Sequence, residues 1–154
     1  MKIVVCSDNH SNIEALNYIL NKHPHADYYW HLGDSQAIDI QELGPFISIK
    51  GNNDYLNLPS QRRIQIGKYN FLLVHGTDVI GAGLKSLVYK ANKTDSNIVL
   101  YGHTHLKADD TIDGIRLINP GSCSHNRDMS KPSYMIINID DNNNLDVQFY
   151  EIND

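Results

Sequence analysis

Five short polar motifs stand where apolar runs end: Asp8-Asn9-His10, Gly33-Asp34, Gly51-Asn52-Asn53-Asp54, His75-Gly76 and Gly102-His103-Thr104-His105. They supply seven candidate metal ligands: Asp8, His10, Asp34, Asn52, His75, His103 and His105. Carboxylate, amide and imidazole donors in this mixture suit Mn, Fe, Zn, Co or Ni better than Ca or Mg, and no thiolate is among them to force zinc. Seven ligands make one set for two ions. Two divalent ions can cleave a phosphate ester with little further help.

Each motif alone is weak. An Asp before a helix is usually a turn or cap residue, Gly-Asp and Gly-Asn-Asn-Asp pass as turns, and a lone His ending a buried strand is more often structural than a ligand. Gly102-His103-Thr104-His105 is more specific. Imidazoles two residues apart fall on one side of an extended chain, and Gly102 lets the backbone come close. Asp8 and His10 have the same spacing, so an extended backbone there would aim both at one ion. Asp54 reads as an acceptor that fixes a neighbouring ligand. Among the other histidines, His23 and His25 flank Pro24 and are expected in solvent, while His31 lies inside a strand and is expected to be structural. His125 and Arg127 are candidates for touching a substrate.

The elements that must position these residues can be read from the apolar pattern. Ile3–Cys6 is a short continuous apolar run, as in a strand buried on both faces. Ser11-Asn12-Ile13-Glu14 has the capping-box pattern, and Ile13, Leu16, Ile19 and Leu20 continue it as a helix to about Lys22, before Pro24. Tyr28–Leu32 and Phe46–Ile49 read as strands, Arg62–Ile66 and Tyr69–Val74 as a hairpin around Gly67-Lys68, and Gly83–Asn92 as a second helix. Ile98–Tyr101 reads as another strand. Beyond it the texture is antiparallel: Asp113-Gly114 makes a tight turn, and Asp140–Asn144 separates Tyr134–Ile139 from Leu145–Ile152. Asp8, Asp34, Asn52, His75 and His103 each directly follow a predicted strand, which is where α/β sheets bind ligands.

The order and spacing of the five motifs resemble those of the calcineurin-like metallophosphoesterases, in particular the small bacterial and archaeal YfcE-like phosphodiesterase branch. The likeness runs from Lys2 to about Tyr150, and Asn119-Pro120-Gly121-Ser122 belongs to it too. It implies an α/β (α+β) fold: a four-layer αββα sandwich of two mixed β-sheets flanked by helices, as one domain over residues 1–154. It also implies one ion on Asp8, His10, Asp34 and His105 and a second on Asp34, Asn52, His75 and His103, with Asp34 bridging. Mn is the first choice of metal, with Fe, Zn, Ni or Co able to serve. A water between two such ions loses its proton near neutral pH and can attack the phosphorus of a small soluble phosphodiester. One position departs from the wider family. Many of its members carry His after the Asn ligand, to protonate the leaving oxygen or steady the transition state, and this chain has Asn53. An amide donates a hydrogen bond but no proton near neutral pH. Asn53 and Asp54 are therefore assigned to the chemistry beside the metals. Two alternatives stand against this reading. One is a non-catalytic protein-interaction scaffold on the same fold, as in a eukaryotic sorting-complex subunit that has lost several ligands. The other is a phosphomonoesterase or nuclease.

Composition narrows the partners. The net charge is −5 and no Lys/Arg cluster exists beyond Arg62-Arg63, so no extended nucleic-acid surface is expected. A small anionic substrate remains compatible, because two bound divalent cations would reverse the local charge. No stretch approaches a membrane span. The apolar run at the N-terminus is too short for a signal-peptide core, and two cysteines, Cys6 and Cys123, make no disulfide framework, so a cytoplasmic protein with reduced thiols is expected. No Gly-rich phosphate loop is present, which argues against ATP chemistry. Homo-oligomers are left open.

Overall fold

Strand β1 (Lys2–Cys6) illustrates how the layers arise. Ile3 to Cys6 are all buried, but alternate side chains leave on opposite faces. Ile3 and Val5 join the core between two sheets, together with Trp30, Phe71 and Leu73. Val4 and Cys6 instead meet Ala15, Leu16 and Ile19 of helix α1 (Ile13–Lys22). Strand β5 (Tyr69–Val74) divides in the same way: Phe71 and Leu73 face the central core, while Leu72 and Val74 pack on Leu87, Val88 and Ala91 of helix α3 (Lys85–Lys93). The layers therefore run helix, sheet, sheet, helix, as the resemblance implied. The computed structural model describes residues 1–153; Asp154, the last residue of the expected domain, lies outside them.

Both sheets are mixed and five-stranded. In the first, β3 (Ile47–Ser48), β2 (Tyr28–His31) and β1 run parallel, and β9 (Ser133–Ile139) and β10 (Leu145–Glu151) continue it antiparallel. In the second, β5, β6 (Ile98–Leu100) and β8 (Ile115–Pro120) are parallel, with β4 (Gln61–Ile66) and β7 (Lys107–Ile112) antiparallel at the edges. Parallel neighbours end together. The loops after β1, β2 and β3 carry Asp8, Asp34 and Asn52, and those after β5 and β6 carry His75 and His103.

Two local expectations are corrected, and one element is added. The helix cap is Asn12, whose side chain accepts from the Ala15 N–H at 3.2 Å; Ser11 sits one position outside at φ 67°. The expected second helix begins later, because Gly83 at φ 75° separates the short α2 (Val79–Ala82) from α3. A 3₁₀ turn at Ile40–Leu43, capped reciprocally by Asp39 and Glu42, was not foreseen. Its four residues are too few for a helical period to register.

Candidate metal centre

The strand ends bring the candidate ligands into two groups of three: Asp8, His10 and His105, and Asp34, His75 and His103. Within each group one ligand atom per residue lies within 4.8 Å of the others. His10 Nε2 is 3.1 Å from His105 Nε2, and Asp8 Oδ1 is 3.3 Å from the latter. In the other group His75 Nε2 is 3.2 Å from Asp34 Oδ2 and 3.3 Å from His103 Nδ1. Asn52 joins here, its Oδ1 3.2 Å from His103 Nδ1. Asp8 Oδ1 lies 3.8 Å from His75 Nε2 as well, so it reaches imidazoles of both groups.

The ligand loops do not adopt the expected backbone. Asp8, His10, Asp34, His103 and His105 all have positive φ, between 44° and 68°. Few residues other than Gly adopt this conformation, Asn, Asp and His more readily than most, and such backbone collects at functional sites. It also separates the close pairs differently from an extended chain. Asp8 and His10 do share a group, but His103 and His105 go to different ones. The expected placement of His103 and His105 on one side of an extended backbone does not hold here.

Hydrogen bonds fix most of the donors. His10 Nδ1 lies 2.7 Å from Gln36 Oε1, and His75 Nδ1 lies 2.8 Å from the Leu32 carbonyl. Both partners accept, so each Nδ1 donates and each Nε2 faces the centre. Asp34 is held by Asn53, whose backbone N–H donates to Oδ1 at 2.9 Å and whose amide Nδ2 donates to Oδ2 at 3.0 Å. Asp54 is an acceptor for backbone N–H groups. It takes the N–H groups of Asp34 at 2.9 Å, Gln36 at 2.8 Å and Gly51 at 2.6 Å, joining two ligand loops.

Electrostatics agree with a cation site. Burial pushes the Asp8 carboxyl up, but His105, His75 and Ser7 more than offset it and hold it below the usual carboxylate range. Asp34 is likewise held low against its burial by His75 and Asn53. His75 is pulled down by burial and raised further by Asp34 and Asp8, ending above the ordinary imidazole value. Asp8 Oδ1 is buried and has no hydrogen-bond partner among the described residues. A buried carboxylate oxygen without a partner is costly, and a divalent cation removes the cost. The residues present fit metal ions.

Other residues take up their stations around this centre. His31 is fully buried; the Gly33 N–H donates to its Nδ1 at 3.1 Å and its Nε2 meets Asn9 Oδ1 at 2.9 Å, so it is structural as expected. Burial lowers its pKa to about 4. His125 and Arg127 are exposed; the Arg127 N–H donates to the His105 carbonyl at 3.1 Å. His25 is exposed, but His23 is not simply in solvent: its Nδ1 lies 2.9 Å from Lys2 Nζ and its Nε2 2.8 Å from Tyr134 Oη. Cys6 and Cys123 are free, buried thiols. Several supports went unnoticed in the sequence. Ser122 and Ser124 hydroxyls both donate to the Asp8 carbonyl at 2.8 Å, and Asn119 Nδ2 donates to the Gly102 carbonyl at 3.1 Å. Asn119-Pro120-Gly121-Ser122 ends the parallel strand β8, the signal that could have placed it here.

A model of the calcineurin-like phosphoesterase superfamily domain matches residues 1–142. The chain belongs to that superfamily. A probable metallophosphoesterase of Mycoplasma genitalium is 30% identical over 159 residues, covering 98% of this chain and 96% of its own. A phosphodiesterase of Methanocaldococcus jannaschii is 28% identical over 148 residues, covering 80% of this chain and 84% of the other. Among solved structures, a conserved Streptococcus pneumoniae protein described as a predicted phosphoesterase superposes with a TM-score of 0.85 at 27% identity, over 97% of this chain and 88% of that one. The superfamily membership and the paired groups of donors stand together: this calcineurin-like chain keeps a candidate metal centre at its strand ends.

Proposed function

We propose that this protein is a cytoplasmic, single-domain phosphodiesterase that uses two divalent ions, Mn first among them, to hydrolyse small soluble phosphodiesters. The observation that carries the reading is the pair of donor groups, each with one carboxylate and two imidazoles, around the unpartnered buried Asp8 Oδ1. When bound, two such ions supply an activated water and neutralise charge building on the phosphoryl oxygens. The chain's own residues prepare for this. Gln36 and Leu32 hold His10 and His75 with Nε2 inward, and Asn53 holds both oxygens of Asp34. Asp34 is the residue proposed to serve both ions, with Asn52 as a neutral ligand beside His103. Arg127 is exposed next to the loop of His105 and is a candidate to meet substrate oxygens.

No imidazole follows Asn52, so leaving-group protonation is not assigned to this loop. That favours esters with good leaving groups, such as aryl diesters, over alkyl esters. The completeness of the donor groups favours an enzyme over a scaffold. The test is a panel of aryl phosphomonoesters and diesters, assayed after chelator treatment with each metal restored in turn. Diester hydrolysis that depends on metal and exceeds monoester hydrolysis is expected. Monoester preference would replace the substrate class, and no hydrolysis of either would favour the scaffold.

A further inference from the structure

A cavity of about 200 Å³ adjoins the candidate centre at His75. Its walls continue two ligand loops: Lys50 stands directly before Gly51-Asn52, and Gly76, Thr77 and Asp78 stand directly after His75. Ser60 and Gln61 at the start of β4 and Lys90 from α3 complete it. Lys90 Nζ lies 2.8 Å from Asp78 Oδ2, which neutralises one charge. Lys50 makes no ion pair among the described residues, whose lysine and arginine pairs are those of Arg63, Lys90 and Arg116. The walls therefore hold net positive charge in a chain whose total is −5.

Lys50, Ser60 and Thr77 are exposed, and with the Lys90–Asp78 pair they line an open depression whose one uncompensated ammonium and two hydroxyls have the chemistry of an oxyanion site. The cavity is smaller than the roughly 300–1,000 Å³ typical of whole-ligand pockets, so it suits one compact group and not a nucleobase or a second ring. We propose that it receives a second phosphate group, carried on the substrate arm beyond the scissile phosphorus. The preferred substrates are then small diesters that end in a phosphate monoester. Lys50 is the principal anchor, because Lys90 is already shared with Asp78. The inference rests on the phosphodiesterase reading.

Two measurements on the full chain test it. In metal-free protein, methyl phosphate is titrated while the amide resonances of Lys50, Gly76 and Thr77 are followed by NMR. Saturable shifts there are expected, and they should vanish in the Lys50→Gln/Lys90→Gln double variant. With Mn restored, kcat/KM is compared for two p-nitrophenyl diesters whose other arm is propyl or 3-phosphopropyl. The wild type should favour the phosphorylated arm roughly tenfold or more, as charge-assisted hydrogen bonds predict, and the double variant should lose that preference. Failure to hydrolyse either diester overturns the phosphodiesterase reading, and the NMR titration then decides the cavity by itself. Hydrolysis without preference, absent shifts, or shifts and preference that survive the double substitution overturn the proposal.

Discussion

At the scale of single residues, Asn53 has a more defined part than its place in the motif suggested. It grips both oxygens of Asp34, so it positions a candidate ligand. Asn53→Ala should lower metal affinity by about 10–100-fold, the usual effect of losing such a support, as isothermal titration with Mn would measure. A second expectation follows from its chemistry. An amide supplies no proton, and a general acid is worth roughly 10²–10⁴ in rate for a poor leaving group. The wild type should therefore depend steeply on leaving-group pKa across a series of diesters, handling aryl esters well and alkyl esters slowly. A shallow dependence would mean that another group supplies the proton. His31 carries a third prediction. Its folded pKa of about 4 lies below the usual imidazole value, so the unfolded chain binds more protons and stability rises with pH across that interval. Stability from this residue is complete above pH ~6.5 and is lost as pH falls toward 4, a change of about 3 kcal/mol. Urea unfolding of the metal-free protein between pH 7 and 4.5 should show this slope, and His31→Gln should flatten it.

At the scale of elements, the centre depends on loops that hold one another. Asp54 joins the loop after β2 to the loop after β3 through three backbone N–H groups. Asp54→Ala leaves those donors without their acceptor and should cost about 2–3 kcal/mol in urea unfolding, with weaker metal binding. Little change in either would mean that water replaces the carboxylate. Glycine matters where loops touch: a Cβ on Gly102 would meet the Ser7 side chain and come within 2.6 Å of Asp8 Oδ2, and one on Gly51 would collide with Asp34. Much of this organisation was legible in the sequence. Strand ends marked by Leu32-Gly33-Asp34 or Val74-His75 are local signals, since an apolar run stops where its backbone leaves the sheet. The hairpin around Gly67-Lys68 and the turn at Asp113-Gly114 appear where expected. The serines on the Asp8 carbonyl could not be read, because they stand 114 and 116 residues away along the chain. The positive φ of the candidate ligands was equally hidden, for Asp and His adopt that conformation more often than most residues but far less often than the usual one.

At the scale of the whole molecule, the two sheets each supply part of every donor group. Asp8 and His10 come from the first sheet and His105 from the second; Asp34 comes from the first and His75 and His103 from the second. Each ion would thus tie the sheets together at their strand ends. Among the described residues no helix is long and apolar enough to cross a membrane. Each bound ion should stabilise the fold by about 2.7 kcal/mol at a free concentration one hundred times its Kd, read as a rise in Tm with added Mn. The central claim is that the two donor groups hold two ions. Anomalous diffraction from crystals grown with Mn tests it most directly. Two peaks are predicted, one among Asp8, His10 and His105 and the other among Asp34, His75 and His103. A single peak, or peaks away from these side chains, would contradict the account.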